Sequence, residues 1–105
     1  MNDILVYLIK QQYHIDAIGQ QVKDDPIKSK IYANRKSIGS NEFFKAGQMG
    51  LKPSFSIKIL KKEYNDEENV EIDGVEYSVY RTYAYDDTIE LYLTEKLGDL
   101  EWEVM

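Results

Sequence analysis

Residues 70–85 read VEIDGVEYSVYRTYAY. Asp73-Gly74 stands between two runs in which apolar and polar residues alternate, the strongest short-range signal for a β-hairpin. In the second run Val75, Tyr77, Val79, Arg81, Tyr83 and Tyr85 share one face at a period of two. Arg81 therefore falls in phase with apolar residues. An arginine so placed is either stacked on tyrosines at the end of a barrel or paired with a carboxylate. This makes Arg81 and Tyr83 candidates for closing the barrel or for joining subunits, the latter through an ion pair.

Working outward, Asp86-Asp87 breaks the chain before TIELYLTEKL, where Ile89, Leu91 and Leu93 share a face. Upstream, NDEEN (65–69) reads as a solvated polar turn. PSFSIKILKKEY (53–64) alternates, with Phe55, Ile57 and Ile59 inward and Ser54, Ser56 and Lys58 outward. PIKSKIYANRKSI (26–38) places Ile27, Ile31 and Ala33 on one side and Lys28, Lys30 and Asn34 on the other. The apolar run Ile4–Ile9 reads as a strand, and HIDAIGQQVKDDP (14–26) as a turn-rich connection. Five or six short strands with single apolar faces predict an all-β fold, a small β-barrel.

One stretch breaks this rhythm. GSNEFFKAGQMGLKP (39–53) starts with Ser40 as a helix N-cap and has Glu42 in its first turn. It ends with Gly50 as a left-handed C′ residue, Leu51 as the apolar C″ residue, and Pro53 as a stop. A helix of about two turns, between the second and third strands, is expected. Gly47 weakens it by up to ~1 kcal/mol relative to alanine. Such frailty fits either a segment that changes on assembly or a close backbone contact at Gly47. Phe43 and Phe44 point to different sides of the helix, so one is expected to anchor it on the barrel and the other to meet a neighbour.

At 105 residues the chain fits one domain (1–105), with the barrel over about 4–95 and an acidic C-terminal tail at 96–105. Nine tyrosines favour half-buried faces and protein interfaces. The absence of cysteine excludes a disulfide framework, thiolate metal sites and thiol nucleophiles, and suits a reducing, intracellular setting. The six-residue apolar run near the N-terminus is too short for a signal-peptide core or a membrane span.

The single histidine, His14, excludes histidine triads and multi-histidine metal sites and is expected near the surface. The acidic 65–69 stretch lacks the ligand spacing of a calcium loop. No phosphate-binding or nucleophile motif is present, so no catalytic, cofactor or metal residues are expected. The net charge of −6 argues against general nucleic-acid binding. Its distribution is uneven: residues 20–62 hold ten Lys/Arg and three acids, and residues 63–105 hold two and fourteen. Either the halves interleave and cancel, or a basic face of one copy meets an acidic face of another.

The order of these motifs resembles that of the small head-tail adaptor or head-closure (stopper) proteins of long-tailed bacteriophages. The likeness spans roughly residues 4–95. It is carried by Glu42-Phe43-Phe44, Ala46, Gly50-Leu51-Lys52-Pro53, Asp73-Gly74, Tyr77 and Arg81-Thr82-Tyr83. It implies a β-barrel with one short helix that forms a ring, twelvefold in the virion, beneath the portal and its adaptor. The ring retains packaged DNA, touching it only as channel contents, and offers a docking surface to the tail. Assembly takes place in the host cytoplasm, with no cofactor or membrane involved. The gate and assembly segment would comprise Phe43, Phe44, Lys45, Gly47, Gly50 and Lys52. A tail-completion protein of the same barrel type is an alternative. A stand-alone binding module is another, but it would need a basic, aromatic-lined strand face, whereas the tyrosines cluster in the acidic half of the sequence.

Overall fold

A computed structural model describes residues 3–95; the acidic tail expected at 96–105 lies outside them. Six strands form a closed antiparallel barrel in the order β1-β2-β3-β6-β5-β4. They are β1 (Asp3–Ile15), β2 (Gln21–Lys36), β3 (Pro53–Leu60), β4 (Asn69–Ile72), β5 (Val75–Tyr85) and β6 (Thr88–Glu95). Helix α1 (Ser40–Gln48) joins β2 to β3, as the sequence predicts, and a 3-10 turn (Lys61–Glu63) follows β3. Among the described residues no helix is long and apolar enough to cross a membrane.

The interior is filled by alternate residues of neighbouring strands: Val6 and Leu8, Ala33, Phe55, Ile57 and Ile59, Val70 and Ile72, and Ile89, Leu91 and Leu93. This is the period-two pattern of the sequence closed on itself, which buries the inward face of the barrel wall. Phe55 meets Tyr77 edge to face at 5.1 Å. The Asp73-Gly74 turn has both residues at positive φ (53° and 80°), as a two-residue hairpin turn requires. Asp86, which opens the β5–β6 turn, is also left-handed (φ 56°).

Three expectations are corrected, two of them by register. The connection at 14–26 is mostly strand: only Asp16–Gln20 turn, and β1 and β2 pair from Ile15/Gln21 onward. The Asp16 carboxylate accepts from the N–H groups of Ile18 and Gln20, and Gly19 takes φ 86°, which fixes the tip. The ladder slips between Lys10/Ile27 and Gln12/Asp24, where β2 carries the extra residue and Pro26, which has no N–H to donate, is accommodated. Beyond this bulge the two strands run as a free ribbon, because β4 pairs only with Tyr7–Ile9 and β3 only with Asn34–Lys36. Ile27 is consequently exposed, not inward, although Ile31 and Ala33 do face the core.

The second correction concerns β5. Val79 pairs with Leu93, but Arg81 pairs with Tyr92, so Tyr80 is an extra residue at a second bulge. The strand changes face there. Val79 packs against the core, whereas Arg81, Tyr83 and Tyr85 turn outward, and Thr82 and Ala84, which are exposed, pair with the inward-facing Leu91 and Ile89. Neither Arg81 nor Tyr83 closes the barrel. The arginine in the interior phase is Arg35, opposite Ile57, with its guanidinium 4.2 Å above the Phe55 ring.

The third correction is that the 65–69 stretch is not simply a solvated turn. Glu67 is 2 % exposed, and its carboxylate accepts from the Asn65 N–H at 2.7 Å while its carbonyl accepts from the Tyr64 hydroxyl. Burial and the neighbouring acids Asp66, Glu67 and Glu68 push the Tyr64 hydroxyl up to about 12. Asn69 already belongs to β4.

Candidate functional site

The helix stretch is built in two layers, a face that grips the barrel and a face that grips nothing. Its start lies one residue earlier than the sequence suggests. The Gly39 carbonyl accepts the first helical bond, from Phe43 N–H, so Gly39 is the N-cap and Ser40 the first helical residue, with no side-chain cap. Its end is as expected. Leu51 N–H donates to Ala46 O and Gly50 N–H to Gly47 O, the paired bonds of a Schellman stop, with Gly50 at φ 81°. The Lys52 carbonyl is held by the Thr94 hydroxyl.

Glu42 and Ala46, one turn apart, face the wall. Ala46 is fully buried. The Glu42 carboxylate takes both Nη2 (2.6 Å) and Nε (3.3 Å) of Arg81 and the hydroxyl of Tyr80 (2.9 Å). Arg81 also lies 4.3 Å above the Tyr92 ring. Both alternatives for Arg81, stacking and pairing, are therefore realised within one chain and on the outside of the barrel. The bulge at Tyr80 is what aims Tyr80 and Arg81 at the helix. The Arg81 bond holds the Glu42 carboxyl below its ordinary range against the opposing effect of partial burial, with Tyr80 adding to the lowering. Arg81 is raised by the same contact, and Tyr80 is raised by burial and then by its bond to Glu42.

The polar chain continues along the wall. Tyr92 donates to Glu90, Ser56 donates to the other Glu90 oxygen, and Lys36 lies 4.0 Å from it. Ser56, assigned outward by alternation, is outward but 1 % exposed, flanked by Lys36 and Tyr92 on the adjoining strands.

The large apolar side chains here are exposed: Phe43 is 56 % and Phe44 67 % accessible on α1, and Met49, its C-cap, 65 %. The expectation that one phenylalanine anchors the helix is wrong. Ala46 and Glu42 do so, and both rings stand in solvent. Nothing lies within 4 Å of a Cβ added at Gly47, so no close contact within the chain requires that glycine. Lys45 lies on α1 and Lys52 between α1 and β3, and both are exposed.

A second region was not foreseen. Closure of the barrel sets β2, β3, β6 and β5 side by side, so that Lys36, Lys58, Tyr83, Tyr85, Thr88 and Glu90 line one concavity of about 290 Å³. It adjoins a shallow one of about 600 Å³ that shares Lys36 and Lys58 and includes Lys30 and Tyr32. Tyrosines of the acidic half of the sequence thus stand beside lysines of the basic half, a basic and aromatic strand face that the linear order concealed. His14 is on the surface, its Nδ1 2.8 Å from Asp24. Among the described residues no group of acids and histidine is arranged to hold a metal.

No protein-family model matches the chain, and neither does any curated protein. The likeness to head-closure proteins rests on the order and spacing of its own motifs.

Proposed function

We propose that this chain is a structural head-closure protein of a long-tailed bacteriophage, a β-barrel that assembles as a ring under the portal and adaptor, retains packaged DNA and receives the tail. The observation that carries this reading is α1. It sits between β2 and β3, tied to the outside of a closed barrel, with the adjacent rings of Phe43 and Phe44, and Met49 at its end, exposed. Large apolar side chains held in water close together in the chain suit a surface made for contact. One support joins it: the motif order resembles that of the stoppers. In this reading the helix stretch is the element that changes on assembly, and the protein has no chemistry to perform.

The experiment is electron microscopy of connector particles from filled heads, made with the wild-type chain and with Phe43→Ser/Phe44→Ser. The wild type should add a ring of density beneath the portal and keep heads filled. The double variant, whose substitutions lie on the exposed face, should fold normally yet lose the ring or leak DNA. Heads that stay full and complete with no such density would overturn the proposal.

A further inference from the structure

Strand β6 ends at Glu95, which pairs with Tyr77, and the hydroxyl of the preceding Thr94 donates to the Lys52 carbonyl. The chain therefore leaves the barrel at the foot of α1, next to the residue that lies two beyond the Gly50 stop. On α1, Gly47 is the i+4 neighbour of Phe43 and the i+3 neighbour of Phe44, so the two rings flank a position with no side chain. A Cβ added at Gly47 would meet nothing within 4 Å among the described residues. Two exposed rings beside bare backbone make a small apolar notch, open to solvent.

The residues that follow Glu95 are KLGDLEWEVM (96–105), outside the described ones. In DLEWEV, Leu100, Trp102 and Val104 alternate with Asp99, Glu101 and Glu103, so laid out extended this stretch would carry apolar side chains on one side and acids on the other. Its reach is sufficient. Trp102 comes seven residues after Glu95, a span of up to about 23–25 Å, and Gly47 lies only about 5 Å along the helix from Gly50. Tyr85, opposite Thr88 at the far end of β6, is about 23 Å from the exit and would consume that whole reach. Val75, nearer the exit, is far less exposed than Phe44. Charge is secondary: Lys45 and Lys52 are exposed and suit the acids of the segment, Glu42 is taken up by Arg81 and Tyr80, and Glu76 and Glu95 stand at the exit.

We infer that the notch on α1 is a docking site for residues 99–104 of the same chain, with Trp102 seated over Gly47 between Phe43 and Phe44. An indole against two phenyl rings buries a large apolar area in offset or edge-to-face contact. The seat also gives Gly47 a reason that no contact among the described residues supplies, because a side chain larger than a methyl would fill it. The contact is autoinhibitory: it covers the rings by which α1 would meet a partner, and a partner must displace it. The inference rests on the reading of α1 as a contact surface and adds what covers that surface beforehand.

Trp102 is the single tryptophan of the chain, so its fluorescence reads the contact directly. The isolated protein is excited at the red edge, which spares its nine tyrosines. It is compared with Phe43→Ser/Phe44→Ser and with Gly47→Gln, which fills the notch while favouring the helix. Circular dichroism melting first establishes that both variants fold. Wild type should emit to the blue of free tryptophan and resist quenching by acrylamide, with no change on dilution. Both variants should shift to the red and be quenched severalfold more strongly. Conversely, Trp102→Ala should speed hydrogen exchange over 43–48 and leave β6 unchanged. A solvated tryptophan in wild type, either variant matching wild-type emission, or unaltered exchange in Trp102→Ala overturns the inference. So does an emission that moves to the red on dilution, which would place the indole on another molecule. These measurements need no portal, so their failure leaves the connector reading to its own test, and heads without ring density leave the fluorescence result standing.

Discussion

Two segments leave the barrel wall, the β1–β2 arm beyond its bulge and the α1 stretch, and they are held in opposite ways. The arm, over Gln12–Ile15 and Gln21–Asp24, keeps its shape by a main-chain ladder and a capped turn, with Tyr13, Ile15 and Ile18 in solvent. The helix has its own backbone bonds and a firm stop, but it is tied to the wall by few side chains, chiefly Glu42 and Ala46. An isolated two-stranded ribbon is marginal in water, and so is a helix shorter than about 12 residues. The lesson is that neither is stable by its secondary structure. The arm borrows rigidity from the strands it prolongs, and the helix borrows it from one ion-pair cluster.

The largest expected contrast is between wall and arm. Leu91→Ala empties a fully buried position and should cost about 2–5 kcal/mol, whereas Tyr13→Ala or Ile18→Ala should change stability by less than about 0.5 kcal/mol. Chemical denaturation measures both. An arm substitution as costly as the wall substitution would show that the ribbon is packed on something and would break the comparison.

Next in size is the tie of the helix. Arg81→Ala removes both bonds to Glu42 and the stacking on Tyr92, and for a partly solvated pair the loss should be about 1 kcal/mol. Hydrogen exchange should accelerate over 41–48 and remain unchanged over 12–24, which separates the two modes of support. Because Glu42 is depressed by Arg81, this stabilisation is complete above the ordinary carboxylate range and is lost as pH falls through the lowered value. Acid should therefore release α1, and in Arg81→Ala the same acid step should be smaller. Equal acid sensitivity in the two proteins would remove Glu42 from the account.

The smallest effect is at Gly47. With open space around its added Cβ and a helical setting, Gly47→Ala should stabilise by a few tenths to ~1 kcal/mol and slow exchange within α1 alone. A loss of stability there would mean that the glycine is needed for a backbone form the helix does not show.

Most of the wall was legible in the sequence, because Phe55, Ile57 and Ile59, and Ile89, Leu91 and Leu93, alternate without interruption and the turns have strong residues at strained positions. The helix was legible through Gly50, Leu51 and Pro53. Its anchor was not: Glu42 and Arg81 are 39 residues apart, and nothing local to either names the other. The outward turn of Arg81 depends on a one-residue bulge that leaves no local mark. Glu67 was misjudged because acidic stretches are usually solvated, and its burial depends on strands that close around it. The lysine–tyrosine face was hidden for a related reason, since it forms only when β2, β3, β6 and β5 become neighbours. In each case periodicity gives the face of a strand, and closure decides who stands beside it.

The bulge at Tyr80 also limits how the chain can change in length. Asp73-Gly74 fixes the register of β5 against β4 at one end, and Asp86-Asp87 fixes it against β6 at the other. The two registers disagree by one residue, and Tyr80 absorbs the difference. Deleting it would make the turns irreconcilable: either Tyr77 and Val79 rotate away from the core, or Arg81 and Tyr83 rotate into it. Removing two residues from the outer half, such as Ala84 and Tyr85, would shorten the strand but preserve which side each remaining residue faces. Insertions and deletions in this strand are thus tolerable in pairs and ruinous singly.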